Sequence, residues 1–194
     1  MQILETDRLV IRQFDYDDCE FILRLLNDPS FVDNIEDKGV RTRVQAASYL
    51  AAGPMASYQA NGHGLYLVAL KDGGRPIGMC GLIKRPHLRD VDLGYAFLPE
   101  GAGRGYAFEA AAAVLDFGHR TLGFTRVCAI VSPTNLRSTT LLERLGFAFA
   151  QWQPMPGGPG SIALYELDLE NWLQAPTGRS GSVMLNLLPG ASGR

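Results

Sequence analysis

Cysteine is scarce: Cys19, Cys80 and Cys128 are the only three in 194 residues, and no two stand at CxxC spacing. A disulfide framework needs paired cysteines in a small chain, and a structural zinc site needs three or four N/S ligands close together. His63, His87 and His119 are equally scattered, so neither arrangement is expected and no metal is assigned. An excess of one charge is also missing, with 18 Lys and Arg against 20 Asp and Glu. A duplex-binding protein usually carries a basic excess, so nucleic acid is not expected as the main partner. No apolar run approaches the roughly 18 residues of a transmembrane helix. The start, MQILETDRLVIRQF, has acidic residues where a secretory leader has a basic start and an apolar block. A cytoplasmic chain with no membrane partner is expected.

What is present is a globular composition, 46% hydrophobic and 20% charged. A chain of this length buries roughly 70% of its unfolded surface without a metal or disulfide. Alternation over residues 3–14 predicts a strand with Leu9 and Ile11 on one face and Arg8, Val10 and Arg12 on the other. Asp15 stands as an N-cap before a helical stripe of Phe21, Ile22, Leu25 and Leu26, ending at Asn27-Asp28-Pro29. A second helical stretch, Arg41 to Tyr58, contains a break at Gly53-Pro54. LYLVAL and PIGMCGLI then read as a hairpin, DVDLGYAFL as a further strand, and YAFEAAAAVLDFGHRTLG as a strong helix. RVCAIVS is a strand, Asn135 to Leu145 a short helix, and Phe147–Gln153 and Ile162–Leu169 are two final strands. Consecutive strands without helices between them predict antiparallel pairing in the middle of a mixed α/β sheet that is not doubly wound. Residues 173–194 are rich in Gly, Ser and Pro and read as a flexible tail. Its apolar segment VMLNLL offers a docked strand or a subunit contact instead.

The chemistry concentrates at the junction FLPEGAGRGYAFEAA, residues 97–111, where a strand meets a long helix through a glycine-rich turn. Glycines let backbone N–H groups surround an anionic oxygen, and the helix N-terminus adds about half a positive charge. A tight turn with no ligand would use the same glycines. The P-loop pattern GxxxxGK[ST] is absent, and GxGxxG fails because Tyr106 or Phe108 holds the third glycine position. About 30 residues on, SPTNLRSTTLLERLGF places Asn135 and Ser138 at another strand-to-helix junction, where helix capping accounts for either.

Together with ETDRLVIRQF near the start, these two segments resemble the GNAT family of acetyl-CoA-dependent N-acetyltransferases, in particular its ribosomal-protein N-acetyltransferase branch. The resemblance runs from about residue 4 to 170. It implies a central mixed, largely antiparallel sheet of about seven strands flanked by about four helices, in one domain over 1–172. It also implies transfer of an acetyl group from acetyl-CoA to a primary amine by direct attack in a ternary complex, by a monomer or homodimer. The amine belongs to a protein N-terminus or a small molecule.

The family's coenzyme loop falls on Ala102 to Ala107, with Ala102 departing from its usual first residue. The resemblance thus gives the amides of Gly103, Arg104, Gly105, Tyr106 and Ala107 to the diphosphate, and Phe97 and Leu98 to strand-like pairing with the pantetheine arm. Asn135 bonds the same arm, and an N–H near Leu98 holds the thioester oxygen. Asp92, where the branch often carries glutamate, is the base, working through a water. The family's helix tyrosine falls on Leu142, so Ser138 takes the place of the acid.

Other assignments are weaker in chemistry. Glu109 complements the helix dipole, Arg144 reaches a 3′-phosphate or solvent, and His63 lines the acceptor mouth or does nothing. Phe31, Val32 and Ile35 form an acceptor wall or core. The run Asp33, Glu36, Asp37 hints at an acidic cleft for a cationic acceptor, or is a solvated loop. An acyl-CoA-binding sensor or subunit without turnover, or an unrelated α/β phosphate-binding enzyme, are the competing readings.

Overall fold

The protein is described by a computed structural model covering residues 1–155 and 160–174. Where alternation predicts one strand over 3–14, the chain makes two: β1 (Gln2–Glu5) and β2 (Leu9–Arg12) pair antiparallel, with Leu4 opposite Ile11. No glycine or proline marks the reversal. The Thr6 hydroxyl accepts the Leu9 N–H at 3.0 Å and does the turn's work from a side chain. Leu9 and Ile11 are buried as their alternation predicts.

A 3₁₀ turn, Tyr16–Asp18, follows, capped by Asp15 in a reciprocal capping box with Asp18. It leads into α1 (Cys19–Leu26). Asn27-Asp28-Pro29 ends that helix but also starts α2 (Pro29–Asn34). Pro29 occupies the first turn, where a missing N–H costs nothing, and Asp28 accepts the Ser30 N–H at 2.9 Å. After α3 (Arg43–Leu50), α-helical hydrogen bonding is interrupted at Gly53-Pro54 without the flanking backbone leaving helical conformation. The chain passes through one π turn, Ala51–Met55, and continues as α4 (Ala56–Asn61) until Gly62 at φ 74°. The wider turn tolerates proline because the backbone bonds it interrupts are already displaced.

Strands β3 (Leu65–Leu70), β4 (Pro76–Ile83) and β5 (Val91–Phe97) form the antiparallel centre. Then come α5 (Tyr106–Arg120), β6 (Arg126–Val131), α6 (Leu136–Arg144), β7 (Ala148–Pro154), β8 (Ser161–Asp168) and α7 (Leu169–Gln174). The sheet has eight strands rather than about seven, because the first splits, in the order β1-β2-β3-β4-β5-β6-β8-β7. Only β5 and β6 are parallel. The helices α1 to α7 of the described residues exceed the expected four: the 41–58 stretch divides into α3 and α4, and α2 and α7 form where the sequence pattern predicts no helix.

Helices α1 to α3 cover one face around Ile22, Leu25, Leu50, Leu67 and Met79. The alanine-rich α5 and the apolar edge of α6 cover the other around Val114, Leu82, Leu93, Leu142 and Leu145. The expected domain boundary at 172 falls within α7, where the Trp172 indole N–H donates to the Leu145 carbonyl at 2.6 Å. Beyond it, the tail from 175 and its VMLNLL segment lie outside the described residues, as do 156–159.

Candidate active site

Strand β5 runs to Phe97 and β6 to Val131, yet they pair only at Val91 with Val127 and Asp92 with Cys128. Beyond those residues the sheet forks. Leu98 donates its N–H to the Ile77 carbonyl at 2.9 Å, on the β4 side. Peptide groups of an antiparallel strand alternate sides, so those of Leu93, Tyr95 and Phe97 turn into the fork. They present an unpaired strand edge inside the protein. The N–H of Leu98, expected to face a thioester, is already committed; the neighbouring Phe97 is the residue whose peptide group faces the fork.

Asp92 sits at the apex of the fork, 1% exposed. Its Oδ1 accepts the Ile130 N–H at 3.3 Å and its Oδ2 accepts Arg85 Nε at 2.5 Å. Burial pushes this carboxyl above the usual carboxylate range, outweighing Arg85, the Ile130 amide and His87, which pull it down. Three residues on, Tyr95 faces the opposite side of the strand, as alternation predicts. Its phenol lands on α6, 2.5 Å from Ser138 Oγ. Burial pushes Tyr95 up to about 12. Ser138 is the N-terminal-turn residue whose N–H the Asn135 Oδ1 accepts at 3.1 Å. Asn135 therefore caps α6, and its side-chain NH₂ is what remains for a ligand. Leu142 is buried core, as an apolar residue there should be.

The glycine turn closes the far end of the fork. After a 3₁₀ turn at Pro99–Gly101, Gly103 and Gly105 take φ 72° and 79°, conformations that L side chains resist. Gly105 is the N-cap of α5 with no side-chain cap, so the first amides of a 15-residue helix stay open to an anion. The turn is held from below. Arg8 Nη1 donates to the Arg104 carbonyl at 3.0 Å, Arg8 Nε to Glu109 Oε2 at 2.7 Å, and the guanidinium lies 4.5 Å over the Tyr106 ring. Glu109 also accepts from the Thr6 hydroxyl at 2.5 Å, so it ties the β1–β2 turn to α5 rather than merely answering the dipole. Beside this clamp lies a cavity of about 470 Å³ walled by Arg8, Lys71, Arg75 and Arg104, with Asp7 and Asp72 among its other walls. Its basic residues and the bare helix start suit a phosphate-bearing molecule such as coenzyme A.

Several other expectations land elsewhere. His63 is buried, its Nδ1 2.7 Å from the Leu82 carbonyl and its ring edge-on to Phe124, so it is part of the packing. Phe31 is core, whereas Ile35 is exposed. Arg144 stands on the surface with its guanidinium 5.0 Å over the Phe108 ring. Two of the three acidic residues pair within their own loop: Asp37 with Arg41 at 2.6 Å and Glu36 with Lys38. Alternation separates Tyr95 from Asp92, but nothing in the sequence shows that its phenol reaches Ser138 across the widening fork. Arg85 as the partner of Asp92, and Arg8 as the support of the glycine turn, carry no local signal either; each acts across many residues of chain or through a loop.

Known proteins are similar to this chain in sequence and in fold. The N-acetyltransferase YoaA of Bacillus subtilis, itself uncharacterised, is 28% identical over 171 residues, covering 85% of this chain and 96% of the relative. A putative GNAT-family acetyltransferase structure from Bordetella pertussis is 27% identical, with TM-score 0.70 over 86% of this chain and 99% of that one. The coenzyme A complex of RimL, a ribosomal α-N-protein acetyltransferase, is 14% identical and shares the fold at TM-score 0.75 over 87% of this chain and 98% of the other. The acetyltransferase (GNAT) domain model matches residues 8–148, a span that contains the strand fork, the glycine turn and the Asn135–Ser138 cap. The chain belongs to the GNAT family of acetyl-CoA-dependent N-acetyltransferases.

Proposed function

We propose that this chain acetylates a primary amine by direct attack in a ternary complex, with Asp92 as base and Ser138 as acid. The observation that carries this reading is the fork itself. A single strand offers Asp92 to one face, the Tyr95–Ser138 pair to the other, and unpaired peptide groups between them.

Acetyl-CoA supplies the acetyl group as a thioester. The amides from Gly103 to Ala107 and the start of α5 would hold its diphosphate, with Arg104, Arg8 and Arg75 adding charge. The peptide groups of Tyr95 and Phe97 would pair with the pantetheine arm, and the Asn135 NH₂ would bond it. Either N–H also serves as the donor that polarises the thioester carbonyl, the office first expected near Leu98.

The remaining work is proton transfer. A lysine-type amine has a pKa of roughly 10.4 and an α-amine roughly 7.7–8.0, so an α-amine needs far less help at neutral pH. Asp92 is the group to give it, since burial lifts its carboxyl toward the working pH. Arg85 must yield Oδ2 to the amine or to a water that carries the proton. On the other face Tyr95 stays protonated and donates to Ser138 Oγ. That frees the serine's own proton for the departing sulfur.

The test begins with thermal stability in the presence of acetyl-CoA, CoA, ATP and NAD. A ligand at 100 times its Kd stabilises by about 2.7 kcal/mol, several degrees here. A shift with acetyl-CoA and CoA alone, followed by amine-dependent release of free thiol, is the expected result. A shift without thiol release from any amine would favour the coenzyme-binding, non-catalytic reading that the Arg85–Asp92 pair keeps open. A shift with only ATP or NAD would end the acetyltransferase reading.

A further inference from the structure

We infer that the acceptor is a small amine with an apolar body and an anionic end, the chemistry of an α-amino acid with an apolar side chain, received between α3–α4 and the ends of β3 and β4. This rests on the acetyl-transfer reading above and adds the class of its second substrate.

A cavity of about 390 Å³ lies there, within the range of small-molecule sites of roughly 300–1,000 Å³. Its walls include Ala52, Pro54, Ala56 and Ala60 from the helices and Leu65 and Ile83 from the strand ends. The π turn at Ala51–Met55 is part of that wall; such turns cost hydrogen-bond geometry and recur at functional sites. Small side chains on the helix side and aliphatic ones on the strand side leave an apolar hollow.

The hollow opens beside the proposed base. Ile83 is the cross-strand partner of Asp92. Gly94, on the same face of β5 as Asp92, lies directly beneath Ile83 and Leu65: a Cβ there would stand 2.6 Å from Ile83 Cδ1 and 3.3 Å from Leu65 Cδ2. Lys84 lines the cavity and adjoins Arg85, the residue on Asp92. Tyr49, another wall residue, has its phenol pushed up by burial and then by Glu36, with Arg85 pulling the other way.

Charge selects the acceptor. Among the described residues, Lys84 is the one charged residue lining the cavity, and none of those that line it is a carboxylate. Two of the three acidic residues in the nearby run are paired locally, Glu36 with Lys38 and Asp37 with Arg41. A polyamine or aminoglycoside would bring several positive charges against Lys84 and Arg85. An amino acid brings one amine for Asp92, an apolar side chain for the hollow and a carboxylate for Lys84. A peptide N-terminus offers the first two and lacks the third.

The experiment measures free-thiol release with leucine, methionine, leucinamide, a leucyl peptide and spermidine on the full chain, beside acetyl-CoA-induced thermal shifts. Leucine or methionine should exceed leucinamide, the peptide and spermidine at least tenfold in kcat/KM. Ala60→Leu, which fills the hollow from an exposed helix position, should raise the leucine KM about tenfold and leave the acetyl-CoA shift intact. Lys84→Gln, on the surface, should bring leucine down to the leucinamide level. Preference for spermidine or the peptide, or a leucine KM unmoved by both variants, would overturn the acceptor class while leaving acetyl transfer standing. Loss of any acetyl-CoA shift in the unaltered chain would instead remove the coenzyme reading on which the class depends.

Discussion

The two ends of the fork are made from different materials. At the glycine turn, peptide groups do the work: positive-φ glycines, an uncapped helix start and an open strand edge. At the apex, side chains do it: Asp92 under Arg85 on one face, Tyr95 against Ser138 on the other. A backbone site tolerates variation in the residues that build it, provided their conformation survives. A side-chain site has no such tolerance. The departure at Ala102 from the family's loop pattern is harmless on this view, whereas the leucine at 142 forces the acid to be found elsewhere.

That contrast is open to direct attack. The largest effect should come from Asp92→Asn, which keeps the shape and removes the proposed base. Acetyl transfer at neutral pH should fall about 100-fold, as general-base losses commonly do. The deficit should narrow at higher pH, where the amine loses its proton unaided; a uniform deficit across the pH profile would contradict the role. The same variant probes stability. Because burial raises Asp92 in the folded chain, its contribution is complete below the ordinary carboxylate pKa and is lost as pH rises through the raised value. Urea midpoints from pH 4 to 7 should show a fall in the wild-type chain that Asp92→Asn abolishes.

Next, Gly105→Val should weaken acetyl-CoA binding about tenfold with kcat at saturation little changed. A β-branched residue at φ 79° costs roughly 1–2 kcal/mol or more, and an added Cβ would sit 3.4 Å from the Arg8 guanidinium. Ser138→Ala and Tyr95→Phe should each lower kcat about tenfold without moving the acetyl-CoA KM. Because the two hydroxyls act in series, the double variant should be scarcely worse than Ser138→Ala; full additivity would separate them. The smallest effect belongs to Arg104→Ala, a few-fold in acetyl-CoA affinity, since the amide at 104 stays in place. A hundredfold loss there would mean the turn binds through side chains after all.

The backbone end was also the legible end. Strand, glycine turn and helix occupy contiguous residues, so hydrophobic period and glycine spacing announce them locally. The apex was legible only by residue type. Asp92 and Ser138 stand out as reactive groups in a strand and at a helix start, but their partners come from elsewhere. Arg85 folds back from the β4–β5 loop, and Tyr95 crosses a gap whose width depends on how two strands diverge. The β1–β2 reversal carries no glycine or proline: the Thr6 hydroxyl turns it through the Leu9 N–H, and Glu109, a hundred residues away in the chain, anchors Thr6 and Arg8. Proline carries two messages: the stop at Asn27-Asp28-Pro29 holds while Pro29 also opens α2, and at Pro54 the break takes the form of a π turn.

Two residue pairs join β5 to β6, and β8 and β7 hang from β6. As a mechanical object the sheet is two plates hinged near Asp92, with α5 strapped across the larger and α6 on the smaller. A molecule lying along the slot would act as a splint, coupling the plates over their whole length. Amide exchange in β6 and β8 should therefore slow when the slot is filled, even at residues no ligand touches.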